Sequence, residues 1–271
     1  MTAPDYLLGQ HEGEWNRLEA QHRLWRHSIL DAIAALELPP GASVLEIGCG
    51  PGALLEDLAS LTSGPLGAIE LDRVAAQRAS ERLGSRAEVR VGDVDAIDLG
   101  GPWHAVVARW VLSFLPDPLR SLERIWAATR DGGSVVVQDY HHAGLGIYPE
   151  HPAIERVVSA YRAAYRASGG DLFIGGKLAQ VFAALGADAD VHPEVRAARA
   201  GDEVWCWIES FLLGHLDMLV REGHLSCAEA DAFRAAWAHT RAVPGATLIS
   251  PVQVTLVARK GEAMRSSGTA T

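Results

Sequence analysis

The sequence predicts an α/β fold: a seven-stranded, mostly parallel sheet with helices on both faces and a late helical insertion before the last strand. Three observations predict it. Short apolar, β-rich runs recur at 44–47, 66–70, 89–91, 105–108 and 134–138, and helical patterns separate most of them. The first run passes through the turn Gly48-Cys49-Gly50-Pro51-Gly52 directly into the helical stretch that opens at Ala53. After Gln138 the pattern becomes mainly helical through residue 250, and then Val252 to Ala258 alternates like a final strand.

Each element has a local reason. Residues 5–36 place Trp15, Leu18, His22, Trp25 and Ile29 at spacings of three and four, which is one helical face. Pro39-Pro40-Gly41 breaks the chain before the first strand. Glycines 48, 50 and 52 permit positive φ and leave the backbone bare for a ligand. Gly84 ends a helix carrying Val74, Ala75, Ala79 and Leu83. Asp117-Pro118 reads as an N-cap followed by proline at the first helical position, and Gly132-Gly133 closes that segment. Residues 187–191 suggest a sixth strand. Residues 205–221 read as one helix ended by Gly223, and Ser226 caps another that runs to about 242. Helices inserted so late are expected to cover the carboxyl edge of the sheet, where α/β ligands bind.

The expected organisation is therefore lid helices at 1–40, a ligand-binding core at 41–142, and a substrate and lid region at 143–250. A last strand at 251–263 and a disordered tail at 264–271 complete it.

Composition narrows the function. The 271 residues carry a net charge of −10 and no basic run of five, so a small-molecule partner is expected and nucleic acid is not. Three cysteines give neither a disulfide framework nor a Cys-x-x-Cys pair, and no metal is expected. No signal segment and no apolar run of membrane-spanning length is visible, so a soluble cytoplasmic enzyme is the expectation. Oligomeric state is not legible.

The glycine turn admits two ligands. Gly48-x-Gly50-x-x-Ala53, with Glu70 about 20 residues further on, is compatible with a dinucleotide fingerprint. However, Pro51 offers no N–H to a pyrophosphate. Glu46 sets a carboxylate beside the turn, which suits a ligand bearing sulfonium and ammonium charges. This stretch resembles the first motif of the class I S-adenosylmethionine-dependent methyltransferases, an acidic residue followed by Gly-x-Gly-x-Gly.

The resemblance implies a Rossmann-like sheet and S-adenosylmethionine as cofactor, held at Glu46, Gly48, Gly50 and Gly52. It implies that Glu70, with Leu71 beside it, meets the ribose hydroxyls, a role the switch-point geometry also supports. Asp93 would accept the adenine amine, and the backbone N–H of Val94 would meet a ring nitrogen. Trp103 to Pro118 is similar to the family's fourth strand and following loop, where the carbonyls of Arg109 and Gly48 would hold the methionine ammonium. Tyr6 to Gln10, with Glu14, Arg17 and Gln21, is similar to the leading segment of bacterial small-molecule methyltransferases related to the quinone-biosynthesis group. This implies that Tyr6 and Gln21 touch the ligand. The Asn/Asp-Pro-Pro-aromatic tetrad of DNA amino-methyltransferases is absent.

Catalytic candidates follow the fifth strand in Asp139-Tyr140-His141-His142. A histidine there, titrating near 6.5, could take a proton from an acceptor; alternation lets at most one of His141 and His142 face the site. Tyr140, Tyr148 and His215 are rival bases. Trp205, Ile208, Phe211, Leu212 and His215 form a stripe that is either core or the wall of an apolar pocket. The reading is methyl transfer to a small organic acceptor, with oxygen preferred over nitrogen or carbon and a natural product as substrate. The alternatives are an NAD(P)-dependent oxidoreductase, for which no Tyr-x-x-x-Lys pair is present, and a non-catalytic S-adenosylmethionine-binding protein.

Overall fold

A computed structural model describes residues 12–261. Tyr6 and the tail expected at 264–271 lie outside the described residues. Helix α1 (Glu12–Ala34) leads into β1 (Val44–Ile47), α2 (Ala53–Leu61), β2 (Leu66–Glu70), α3 (Arg73–Leu83), β3 (Glu88–Val91) and β4 (Trp103–Arg109). Next come α4 (Pro118–Ala128), β5 (Thr129–His141), β6 (Gly146–Tyr148), α5 (Pro152–Ala167), α6 (Leu178–Ala184), β7 (Ala189–Glu194) and β8 (Ala197–Arg199). The chain closes with α7 (Glu203–Gly214), α8 (Leu216–Arg221), α9 (Cys227–Ala242), β9 (Thr247–Ile249) and β10 (Val252–Arg259).

The main sheet has seven strands in the order β3-β2-β1-β4-β5-β10-β7. The first five run parallel, and β10 is antiparallel to both β5 and β7. The chain leaves β1 toward β2 and β3, then crosses back to β4 on the other side. That reversal opens a crevice at the carboxyl ends of β1 and β4. Val44, Ala68, Ala105 and Val107 meet α1, α2 and α3 on one face, while Leu45, Val106 and Val137 meet α4 and α6 on the other. A third core joins Trp25 of α1 to Tyr161, Trp205, Phe233 and Trp237 of the late helices. The leading helix thereby packs on both the sheet and the helical insertion.

Capping follows the residue chemistry. Asp72 accepts from the Ala75 N–H and Asp117 from the Arg120 N–H, and Ser226 with Glu229 forms a reciprocal capping box. The structure departs from the sequence reading in four places. Gly132-Gly133 does not close the segment opened by Asp117-Pro118: α4 ends at Ala128, and both glycines lie inside β5, which starts at Thr129. The helix expected over 205–221 is two helices, because His215 breaks the run and its ring Nδ1 meets the Phe211 carbonyl at 2.7 Å. The sixth strand is shifted to Ala189–Glu194, in register with β10. Finally, β6, β9 and β8 make a second, three-stranded antiparallel sheet within the expected helical region. Three-residue strands leave too little alternation to be read locally; their pairing partners are remote in the chain.

Candidate active site

The crevice is one continuous cavity of about 430 Å³, within the range of small-molecule sites. Its floor is the glycine turn. Gly48, Gly50 and Gly52 have φ of +67°, +53° and +87°. A side chain at Gly48 would run into Val111, and one at Gly52 would meet Ala79 at 3.1 Å. A Cβ at Gly50 meets no protein atom within 4 Å. Gly48 and Gly50 line the cavity, while Gly52 sits behind them as the N-cap of α2.

Glu70 locks this turn. One carboxylate oxygen accepts from the Gly50 N–H at 2.7 Å and the other from the Asp72 N–H at 2.9 Å. Burial raises its pKa, against the lowering effect of those bonds. Leu71, Asp93 and Val94 continue the lining. Asp93 is exposed, and its Oδ1 accepts from the Asp95 N–H at 2.8 Å.

Beside the turn lie two buried ionisable side chains, Glu46 and Arg109. Burial pushes Glu46 up to about 8, with Arg109 pulling it down and Glu70 adding repulsion. Burial likewise lowers Arg109 to about 10. Arg109 Nη2 is 2.8 Å from His22 Nδ1, and His22 Nε2 is 3.1 Å from Asp57 Oδ2. Burial first, and then the Arg109 charge, lowers His22 to about 4, so it is neutral at physiological pH. An arginine only donates, so Nδ1 accepts and the ring proton is on Nε2, facing Asp57.

Part of the cavity wall is aromatic. Tyr140 stacks on Trp110 with centroids 5.9 Å apart. Trp110 holds φ +55°, an unusual state for a bulky residue, and its indole N–H donates to Gln253 at 2.7 Å. A buried polar chain reaches Tyr140 from α1. Arg17 pairs with Glu14 at 2.6 Å and donates to Gln21 Oε1 at 2.5 Å, and Gln21 Nε2 donates to the Tyr140 hydroxyl at 2.5 Å. The Trp207 indole also reaches Gln21, at 3.3 Å. Thus Gln21 of the leading helix lines the same cavity as Tyr140.

Of the two histidines, His142 lines the cavity and His141 does not. His141 turns toward Phe173 and the backbone of Gly176. Burial first, and then the Arg162 charge, lowers His142 to about 3. This corrects the near-neutral titration expected from sequence: an imidazole enclosed by apolar walls and a guanidinium resists protonation. Tyr148 is exposed in β6 and His215 faces Glu14 at 3.6 Å; neither lines the cavity. Trp207, Ile208, Phe211 and Leu212 wall the cavity, whereas Trp205 packs on Trp237 in the core. The helical stripe thus divides between the two readings.

Sequence reasoning missed the side chain of Arg109, the His22–Asp57 pair and Trp110. The Glu14, Arg17, Gln21 spacing of three and four was the available signal for the polar chain. Among the described residues, no group of three or more His, Cys, Asp or Glu is placed to hold a metal. No described helix is long and apolar enough to cross a membrane.

The profile of a family described as a methyltransferase domain matches residues 17–239. The chain belongs to this methyltransferase family. It is a class I enzyme that uses S-adenosylmethionine, which decides between the two ligands the glycine turn admits. The methyltransferase is 38% identical to ribosomal RNA small subunit methyltransferase A of Burkholderia multivorans over 94 residues, 33% of this chain and 34% of that protein. The match thus spans about a third of the length of such curated relatives. Its fold is similar to that of the YcgJ protein from Bacillus subtilis, at TM-score 0.58 and 12% identity, over 88% of this chain and 100% of that one. It is also similar to phosphoethanolamine N-methyltransferase 2 of Haemonchus contortus, solved with phosphomonomethylethanolamine and S-adenosylhomocysteine. That match has TM-score 0.55 and 16% identity, over 88% of this chain and 53% of that one.

Proposed function

We propose that this methyltransferase acts on a small, largely apolar organic acceptor, with oxygen the preferred methylated atom and a natural product the expected substrate class. The observation that carries the reading is one cavity lined both by glycines and carboxylates and by aromatic side chains together with Tyr140 and His142. The site fits the cofactor on the protein's own features. Gly50 leaves open space where a side chain would stand, and Glu46 and Arg109 keep polar atoms without partners.

Bound S-adenosylmethionine supplies an already activated methyl group, so the protein's work is alignment and exclusion of water. Glu70 receives the ribose hydroxyls. A carboxylate has about four lone-pair positions; the Gly50 and Asp72 N–H groups use one on each oxygen, which leaves one on each for the sugar. Asp93 and the Val94 N–H meet the adenine edge. Glu46 and the carbonyls of Gly48 and Arg109 face the ammonium. At the acceptor end, Trp110, Tyr161 and Phe211 enclose the substrate, and the Tyr140 phenol, oriented by Gln21, holds its hydroxyl together with His142. His142 is neutral throughout the physiological range, so it serves as a hydrogen-bonding group that aligns the nucleophile.

The ribosomal RNA named for the partly matching relatives is not carried over, because a net charge of −10 opposes a polyanion. The test is transfer of labelled methyl from S-adenosylmethionine to a library of phenols, amines and carboxylic acids, with deproteinised 16S ribosomal RNA alongside. Methylation of the RNA and of no library member would refute the proposal.

A further inference from the structure

Two chain segments border one side of the cavity. Phe114, Leu115 and Pro116 line it from the loop between β4 and α4, and Tyr165 and Ser168 line it from the end of α5 and the residue after it. The loops that carry these residues meet closely. The Asp171 N–H donates to the Ser113 carbonyl at 2.7 Å. Gly169 holds φ +88°, and a Cβ there would stand 3.3 Å from the Pro116 side chain. A Cβ at Gly170 would run into the Ser113 carbonyl. Bare backbone on one loop thus keeps the wall between them thin.

Against this wall lies a second hollow of about 440 Å³, a surface groove between the start of α4 and α6. Leu115 and Pro116 line both spaces, so the two abut. Pro118, Leu119, Ile174 and Val181 give the groove apolar walls, and Leu119 stands exposed in it. The acids at its rim already have partners. Asp117 accepts from the Arg120 N–H at 3.1 Å, and Asp171 accepts from the Phe173 N–H at 2.8 Å and pairs with Lys177 at 2.5 Å. What the groove offers a ligand is therefore apolar area, and covering such area is favourable in proportion to its extent.

We propose that this groove receives an apolar tail of the methyl acceptor, which runs from the head group in the cavity over Leu115 and Pro116 and lies against Leu119 and Val181. The substrate is then an elongated molecule, a polar head with an aliphatic extension, and the groove selects it over compact acceptors. The inference rests on the small-molecule acceptor reading above.

Titration calorimetry on the full chain saturated with S-adenosylhomocysteine tests it, with 4-ethyl-, 4-butyl-, 4-hexyl- and 4-octylphenol as probes. Each buried methylene is worth about fourfold in affinity. Wild-type affinity should therefore rise by more than about 100-fold from the ethyl to the octyl compound. Two variants locate the tail. Leu119→Glu sets a charge in the groove at an exposed position in the first turn of α4, where an acid suits the helix. Gln180→Trp fills the groove from an exposed position on α6. Both residues line the groove and not the cavity. Each variant should lose most of the gain with chain length while keeping near wild-type affinity for 4-ethylphenol and S-adenosylhomocysteine. A flat wild-type series in which 4-ethylphenol still binds overturns this inference and leaves the acceptor reading standing. A folded variant of either kind that keeps the full gain, or weakens the ethyl and octyl compounds alike, also overturns it. If wild type binds no member of the series, the acceptor reading fails and this inference with it.

Discussion

Glu70→Ala removes the carboxylate that closes the glycine turn and, in the proposed role, holds the ribose. Its two oxygens accept from the Gly50 and Asp72 N–H groups at 2.7 and 2.9 Å. Each ribose hydrogen bond to a charged acceptor is worth about 1.5–3 kcal/mol. Water entering the vacated space recovers part of the loss, so the dissociation constant for S-adenosylmethionine should rise about 10- to 100-fold. The fold should survive, because the residue stands at a strand end beside a cavity where water can reach both freed N–H groups. Titration calorimetry gives the affinity, and circular dichroism with a melting curve reports the fold. Glu70→Gln is the informative companion. Its amide cannot accept from both backbone N–H groups, since one side of it donates, so it should weaken binding while leaving much of the packing intact. Unchanged affinity in a folded Glu70→Ala protein would refute the ribose assignment. Lost affinity with a collapsed melting transition would show that the residue matters only for the turn.

Three further outcomes are expected. Gly50→Val should fold, because a Cβ there meets no protein atom within 4 Å, at a strain cost of about 1–2 kcal/mol for left-handed φ. It should also lose the thermal stabilisation by S-adenosylmethionine, and a wild-type shift would show that the turn does not cradle the ligand. Glu46 titrates near 8 in the folded, cofactor-free protein and near 4.3 unfolded. A raised folded value means that its contribution to stability is fully present below about 4.3 and is lost as pH rises through about 8. Glu46→Gln should therefore lose less stability than wild type between about pH 5 and 9; parallel denaturation curves would contradict the burial argument. His142→Ala should cut turnover by up to about 10²-fold, the scale of a lost alignment of the acceptor, with cofactor affinity near wild type. Because His142 is already neutral above about 3, it should add no inflection to the rate between pH 5 and 8. Full activity in the variant would leave Tyr140 and simple alignment as the chemistry.

Much of this protein is legible in its local chemistry. Three glycines in five residues after an apolar strand leave few conformations open, and the structure places positive φ at all three. Asp72, Asp117 and Ser226 announce helix starts because a short polar side chain satisfies N–H groups only three residues away. Apolar runs at strand length, separated by helical spacing, sufficed for the seven-stranded sheet, because both periods are set by the backbone. What the sequence could not contain is which side chains meet across long loops. Gln21 and Tyr140 touch although they stand 119 positions apart, and Arg109 meets His22 across 87. The register of β1 against β4 decides that Glu46 and Arg109 share a face, since a slip of one residue would send them to opposite sides. Alternation alone allowed either His141 or His142 into the cavity; the packing of β5 against Phe173 and Gly176 selected His142. The same enclosure moved its titration far from the free imidazole value, because desolvation depends on every wall around a group and no local motif encodes those walls.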